Sequence, residues 1–248
     1  MSAKPRSVPA YRVVCDHLRQ RMVAGEMPPG QALPIEADLS SHYGVHRSTV
    51  REALRQLEQD GLVQRVGKRL VVTVPRGADL ARTAERALQL QQVSFREVWE
   101  VASTLEPLCA RLAAERITED QLASLQANLA QTEALVAQGQ SPVQATIEFQ
   151  SLVAQAANNQ ALLLARAPMS LLMLAGYAAI APRLPQSGGR LLEAHQHVLE
   201  SLRQRDAESA VAWTRRHLAD HRRGFEVAGL DMDAPIPAPA AVPDATAL

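Results

Sequence analysis

The 248-residue chain is 47% apolar but only 3% aromatic, so its core must be built mainly from Leu, Val and Ala, a composition that favours helices. The formal net charge is zero, although residues 1–76 hold 12 basic and 7 acidic side chains and the remainder holds the opposite excess. The two cysteines show no metal or disulfide spacing, which excludes a disulfide-stapled secreted domain. With no apolar signal region and no charge-free apolar run of about 18 residues, we expect a cytoplasmic protein without a membrane span.

The basic N-terminal third is predicted to form a winged helix-turn-helix domain over residues 10–76, preceded by a flexible arm at 1–9. A first amphipathic helix is expected at 10–24. Residues 29–74 then show two short helices joined by a bend at Gly44, followed by a tight basic hairpin. This arrangement is typical of proteins that place a helix in the major groove of DNA and a wing on the backbone.

The run PGQALPIEADLSSHYGVHRSTVREALRQLEQDGL resembles the winged-helix domain of the GntR family of bacterial transcription regulators. The resemblance implies double-stranded operator DNA as a partner. Short polar and cationic side chains at a helix start can reach phosphates and base edges. The candidate DNA-binding residues are Arg47, Ser48, Thr49 and Arg51 on the recognition helix, with Gly67 and Lys68 at the wing tip.

Three residues depart from the family pattern in this segment. Ala37 stands where family members usually carry an arginine that contacts DNA. Ile35 and His46 stand where Ser or Thr would cap the second and third helices, so each cap is expected to be weaker by about 1 kcal/mol. DNA binding is still expected, but the family's usual operator sequence is not.

From residue 77 the sequence predicts a second, all-helical bundle, which makes the chain mainly α. We expect a linker and first helix at 77–93, an effector-binding and dimerisation domain at 94–228, and a disordered Pro/Ala-rich tail at 229–248. Seven helices are expected, at 80–91, 94–116, 119–138, 142–157, 160–181, 188–204 and 207–228. Their predicted N-caps include Ser94, Thr118 and Asp206.

The stretches VWEVASTLEPLCARLAAERIT, TIEFQSLVAQAANNQAL and HQHVLESLRQRDAESAVAWTRRHL resemble the FCD ligand-sensing domain of the FadR subfamily. This resemblance implies a homodimer joined through the helical domain, and a small-molecule metabolite effector bound inside it. Many members of the subfamily hold a divalent metal there with one aspartate and three histidines.

Four positions of this chain match the metal ligands of the subfamily: Thr146, Gln150, His195 and His217. A hydroxyl and an amide are poor replacements for carboxylate and imidazole around a transition metal. We therefore expect these four residues to line a polar effector pocket without a metal, in which a histidine proton can supply charge near neutral pH. A divalent metal at His195 and His217 is the less favoured alternative.

Other residues near this region are assigned from their surroundings in the sequence. Ala102 replaces an arginine that reaches the effector in many relatives, which argues against a small di- or tricarboxylate held at that point. Arg166, Arg183 and Arg190 are the remaining candidates for an anion partner, although each is expected at the surface. Tyr177 is expected in the core.

The favoured interpretation is a transcriptional repressor whose binding to its operator is controlled by a small-molecule metabolite. The alternative is a constitutive DNA-binding regulator whose effector pocket has decayed. An enzyme is disfavoured, since a pyridoxal-phosphate fusion of this family needs a catalytic lysine and the only lysines are Lys4 and Lys68.

Overall fold

A computed structural model describes residues 8–184 and 187–237, and 71% of these residues are helical. The mainly α fold class is therefore confirmed. The elements are α1 Ala10–Val23, α2 Glu36–Tyr43, α3 Arg47–Gln59, β1 Val63–Val66, β2 Arg69–Val72, α4 Gly77–Leu90, α5 Phe95–Arg116, α6 Glu119–Ala137, α7 Val143–Ala156, α8 Gln160–Ile180, α9 Ser187–Arg203 and α10 Ala207–Val227. The chain divides into two compact units between Asp79 and Leu80, within α4.

The first unit is a winged helix-turn-helix. Its three helices bury an aliphatic core that includes Leu18, Val50 and Leu57, each fully buried. Gly44 ends α2 with φ +64°, a left-handed conformation that a β-carbon would disfavour, and so allows the sharp bend into α3. Of the arm expected at 1–9, residues 1–7 lie outside the described part of the chain.

The wing is an antiparallel hairpin in which Val63 pairs with Val72 and Val66 with Arg69. Gly67, with φ +61°, begins the two-residue turn between the strands. The segment after α1 adds to the other edge of β2, where the Leu33 amide donates to the Leu70 carbonyl at 2.8 Å. β2 is therefore paired along both edges, which ties the wing to the segment that follows α1.

The second unit is a helical bundle arranged around α5, which packs against α7, α8, α9 and α10. Ser94, Thr118 and Asp206 cap α5, α6 and α10 through their side chains, as the sequence predicted. The N-caps Ile35 and His46 make no side-chain cap hydrogen bond, also as expected.

Helix α8 is long and apolar enough to cross a membrane by length and composition alone, with a mean hydropathy of 1.5. It is nevertheless built into the bundle, because it packs against α5 and α7. It also carries Arg166, which is 3% exposed and donates to the Glu106 carboxylate of α5 at 2.9 Å. The surface position expected for Arg166 is thus corrected, since its charge is neutralised inside the bundle.

The expected disordered tail is corrected for residues 229–237, which pack onto the bundle as a strap. Met232 and Ile236 are 6% and 4% exposed and belong to the core formed by α5, α8 and α10. The Ile236 amide donates to the Val93 carbonyl at 3.0 Å, and Arg96 holds Asp233 through two hydrogen bonds. Two apolar anchors and an ion pair thus order a segment of low hydrophobicity. Residues 238–248 of the predicted tail lie outside the described part of the chain.

Candidate DNA-binding surface and effector pocket

The start of α3 presents the residues that the sequence singled out for DNA contact. Arg47, Ser48 and Arg51 are exposed, and Thr49 is partly exposed. Because His46 provides no side-chain cap, the first backbone N–H groups of α3 are left for an external acceptor such as a phosphate. An exposed, uncapped and basic helix start is suited to bind an anionic backbone.

Arg51 is held by Glu36 of α2. Its Nε donates to Oε1 at 3.2 Å and its Nη2 to Oε2 at 2.9 Å, so the guanidinium plane is fixed by a forked pair. The Arg51 hydrogen bonds lower the pKa of Glu36, with further help from the charges of Arg47 and Arg65. Glu36 thus orients Arg51 and offsets part of its charge.

The wing extends this basic surface. Gly67 and Lys68 are exposed at its tip, as predicted. Arg65 on β1 is exposed, and its charge helps to lower the pKa of Glu36. Arg65 was not singled out from the sequence, although the alternation in VQRVGKRL places it beside the turn. With exposed Arg69 it adds positive charge on either side of the tip.

Three of the four predicted pocket residues come together in the helical unit, and Thr146 does not. Thr146 is fully buried and its hydroxyl donates to the Pro142 carbonyl of its own helix at 2.9 Å. This local bond is a common use of a threonine inside a helix, and it turns the hydroxyl away from both cavities described below. The predicted effector-contacting role of Thr146 is corrected accordingly.

Gln150 and His217 share a hydrogen-bond network with Tyr177. The Gln150 amide lies 3.0 Å from the Tyr177 hydroxyl and 3.0 Å from Nε2 of His217, and the hydroxyl lies 2.8 Å from the same nitrogen. The donors are satisfied if the amide donates to the hydroxyl and the hydroxyl donates to a neutral imidazole. Tyr177, expected only in the core, is therefore also a polar member of the site.

His195 and His221 are buried without hydrogen-bond partners among the described residues. His195 stacks on Phe149, with ring centroids 4.0 Å apart, and its centroid lies 5.1 Å from that of His217. Burial lowers the pKa of His195 well below its usual value, that of His217 to about 4 and that of His221 to about 3. All three imidazoles are thus neutral near pH 7, so the expectation that a histidine proton charges the site is corrected.

The side chains present do not fit a transition metal. Thr146 is committed to its own helix, and Gln150 is bonded to Tyr177 and His217. Across residues 8–184 and 187–237, no group of three or more His, Cys, Asp or Glu side chains is arranged to hold an ion. An amide in place of a charged or imidazole donor leaves too weak a ligand set.

Two cavities meet at His217. The smaller is lined by Gln150, His195 and Glu106, together with apolar side chains of α7, α9 and α10. Burial raises the pKa of Glu106, while the neighbouring Arg166 opposes that rise. The larger cavity lies between α8, α9 and α10, opens to solvent, and encloses about 750 Å³ of space, part of it continuous with the solvent.

Comparison with known proteins agrees with both parts of this arrangement. The family model described as "Bacterial regulatory proteins, gntR family" matches residues 10–72. The model described as "FCD domain" matches residues 97–220, which is half of the chain. The chain belongs to the GntR family. It joins a gntR-type domain to an FCD domain, and the curated relatives it matches are named as transcription regulators or repressors.

Individual relatives cover the chain to different extents. The galactonate operon transcriptional repressor of Escherichia coli is 26% identical over 78% of this chain and 86% of its own length. The mannosyl-D-glycerate transport/metabolism system repressor MngR of the same organism is 43% identical, but over only 23% of this chain and 24% of its own. A solved Streptococcus agalactiae GntR structure superposes with a TM-score of 0.65 at 25% identity, covering 86% of this chain and 99% of that one. The chain spans about half or less of the length of the first curated relatives it matches.

Proposed function

We propose that this GntR regulator is a cytoplasmic repressor that binds an operator as a homodimer and releases it when a small metabolite binds in the helical unit. The observation that carries the proposal is the exposed start of α3, where Arg47 and Ser48 stand beside uncapped backbone N–H groups and near the basic wing. Contacts to base edges would come from Arg47, Ser48, Thr49 and Arg51, and contacts to phosphate from Gly67 and Lys68.

The repressor sense is supported by relatives named as repressors, including the galactonate operon protein. A response to a metabolite is supported by the polar groups buried in the helical unit. Leaving His195 without a partner costs free energy, which is a sign of a group that meets water or a ligand. Gln150 and His217 lie on the same cavity, so the polar effector site is proposed around these three residues.

Homodimer formation is supported by one exposed face of α5. Val101 and Leu108 are 44% and 42% exposed. Leu105 and Leu112 are partly buried and lie on the same face of the helix, four residues after each of them. A second copy of the chain would cover this apolar stripe. Pairing also places two winged helices on two half-sites related by a two-fold axis, which raises affinity for a palindromic operator.

The experiment starts by selecting a bound duplex from a random library with the full chain. Metabolites that raise the unfolding temperature are then tested for their effect on binding of that duplex. The proposal expects at least one such compound to lower operator affinity by about tenfold or more, which is a coupling free energy of about 1.4 kcal/mol.

The second candidate is a constitutive DNA-binding regulator. It is favoured by the Gln150–Tyr177–His217 network, in which the polar groups already satisfy one another. This candidate predicts that compounds stabilising the helical unit leave operator affinity unchanged. Such a result across the compounds that bind would contradict the proposed effector response while leaving DNA binding intact.

A further inference from the structure

The larger cavity of the helical unit differs from the site that the sequence predicted. Of the four predicted residues it shares only His217, and its remaining lining comes from α8, α9, α10 and the start of α7. It opens to solvent, whereas most of the lining of the smaller cavity is buried. The exposed lining residues of the larger cavity, which include Arg190 and Arg223, are therefore in contact with solvent.

The floor of this cavity is polar but uncharged. His221 is 6% exposed and neither of its ring nitrogens has a hydrogen-bond partner among the described residues. Its ring lies 4.1 Å from that of Tyr177, which lines the same cavity together with His217. A neutral imidazole can donate one hydrogen bond and accept another, so the floor suits a hydroxyl or carbonyl group. A charged group there would lose its hydration without gaining a counter-charge.

The walls of the cavity are apolar. Ile180 and Leu184 are 5% and 8% exposed, and Leu191 and Val143 are partly buried on the facing helices. Gly188 and Gly224 belong to the same lining, and a β-carbon at Gly224 would lie 3.2 Å from the Ile180 side chain. Burying a hydrocarbon segment against such walls stabilises its binding. The hydroxyl groups of a sugar would find no hydrogen-bond partners there.

The mouth of the cavity is cationic. Arg190 and Arg223 are its exposed basic lining residues, and neither forms an ion pair or hydrogen bond within the described residues. Asp220 is the acidic residue of the lining and is partly buried, so one positive charge remains in excess. Two unpaired guanidinium groups can hold a carboxylate or phosphate with charge-assisted hydrogen bonds.

We propose that this cavity binds an amphipathic anion: a carboxylate held at the mouth by Arg190 and Arg223, and an apolar body along Ile180 and Leu184. The end of the molecule that reaches His221 is uncharged. This site is distinct from the polar effector site proposed around Gln150 and His195, with which it shares only His217. The inference rests on the proposed function only for its regulatory meaning. It distinguishes this chain from a sensor of polyhydroxylated sugar acids, because the apolar walls leave their hydroxyl groups without partners.

The test is isothermal titration calorimetry on the full chain with three probes: octanoate, octanamide and galactonate. Octanamide has the same apolar body without the charge, and galactonate has the charge without the apolar body. We expect octanoate to bind about tenfold more tightly than either, because each comparison removes one of the two groups that the cavity recognises. Equal or tighter binding of galactonate, or no binding of octanoate, would overturn the proposal.

Variants locate the binding site. Arg190→Gln combined with Arg223→Gln should weaken octanoate binding by about tenfold. Ala181→Phe, which fills the cavity, should abolish it. Arg215→Gln is the matched control, because Arg215 is exposed on α10 and lies outside the cavity lining, so it should bind as the unaltered chain does. Unchanged octanoate binding by Ala181→Phe would place the ligand elsewhere and refute the assignment.

We would also measure binding of the selected duplex by the same protein samples. This measurement distinguishes a failure of the ligand assignment from a failure of the proposed function. If the chain binds DNA and responds to another compound but not to octanoate, only the ligand class is wrong. If octanoate binds at the cavity but the chain binds no DNA, the ligand class stands and the proposed function fails.

Discussion

At the scale of single residues, the helical unit depends on imidazoles that are buried without charge. His195, His217 and His221 all have a lowered pKa, because burial disfavours the charged form. In the unfolded chain the same side chains titrate near pH 6.5. Between these values the unfolded state binds more protons than the folded state, so the free energy of unfolding must fall as the pH falls below about 6.5.

This difference predicts an acid-sensitive helical unit. Each histidine that stays neutral when folded should cost about 2 kcal/mol of stability between pH 7 and pH 5. Urea unfolding of His221→Gln at both pH values should show a smaller loss than the unaltered chain, by about that amount. Equal losses in the two proteins would mean that His221 is protonated in the folded state.

The site also shows which residues a sequence can identify. Gln150, His195 and His217 were found because they occupy matching positions of a recognised motif, and they do line one cavity. The polar role of Tyr177 was missed because it lies in the apolar run of α8, where helical periodicity predicts only core. Arg166 was expected at the surface because an arginine is rarely buried unless it is paired. Their partners Gln150 and Glu106 are 27 and 60 residues away in the chain, a separation that local patterns do not report.

At the scale of elements, the helices were predictable because their limits are encoded locally. The predicted helix at 119–138 is observed at Glu119–Ala137, between the Thr118 cap and Gly139, which has φ +67°. The strap at 229–237 was not predictable, because its composition is typical of disorder. It is ordered by contacts with Val93 and Arg96 more than 130 residues away.

The strap gives a prediction for stability. Ile236→Ala should lower the free energy of unfolding of the helical unit by about 2–4 kcal/mol, because it removes a buried side chain from the core and leaves a cavity. Leu90→Ala is the control, since Leu90 is 86% exposed and its truncation should change stability by less than about 0.5 kcal/mol. Denaturant titration of both variants measures these changes in the free energy of unfolding. An unchanged midpoint for Ile236→Ala would show that the strap does not stabilise the fold.

At the scale of the whole molecule, the proposed dimer gives a prediction of mass. Light scattering at micromolar concentration should give about 54 kDa, twice the 26.9 kDa chain. Leu108→Glu should shift this mass to that of one chain, because a carboxylate on the shared face would be buried without a partner. Leu90→Glu, on an exposed leucine outside α5, should remain dimeric. A strict monomer without substitution, with and without DNA, would exclude the dimer.

The most direct measurement of the central claim is the affinity of the Arg47→Ala variant for the selected duplex, by fluorescence anisotropy at fixed salt. Arg47 is exposed at the uncapped start of α3, so its loss should weaken binding by about 1–3 kcal/mol. Arg215→Ala removes the same charge from the helical unit and should bind as the unaltered chain does. If Arg47→Ala binds the duplex as tightly as the unaltered chain, the start of α3 is not the DNA-binding surface and the account is wrong.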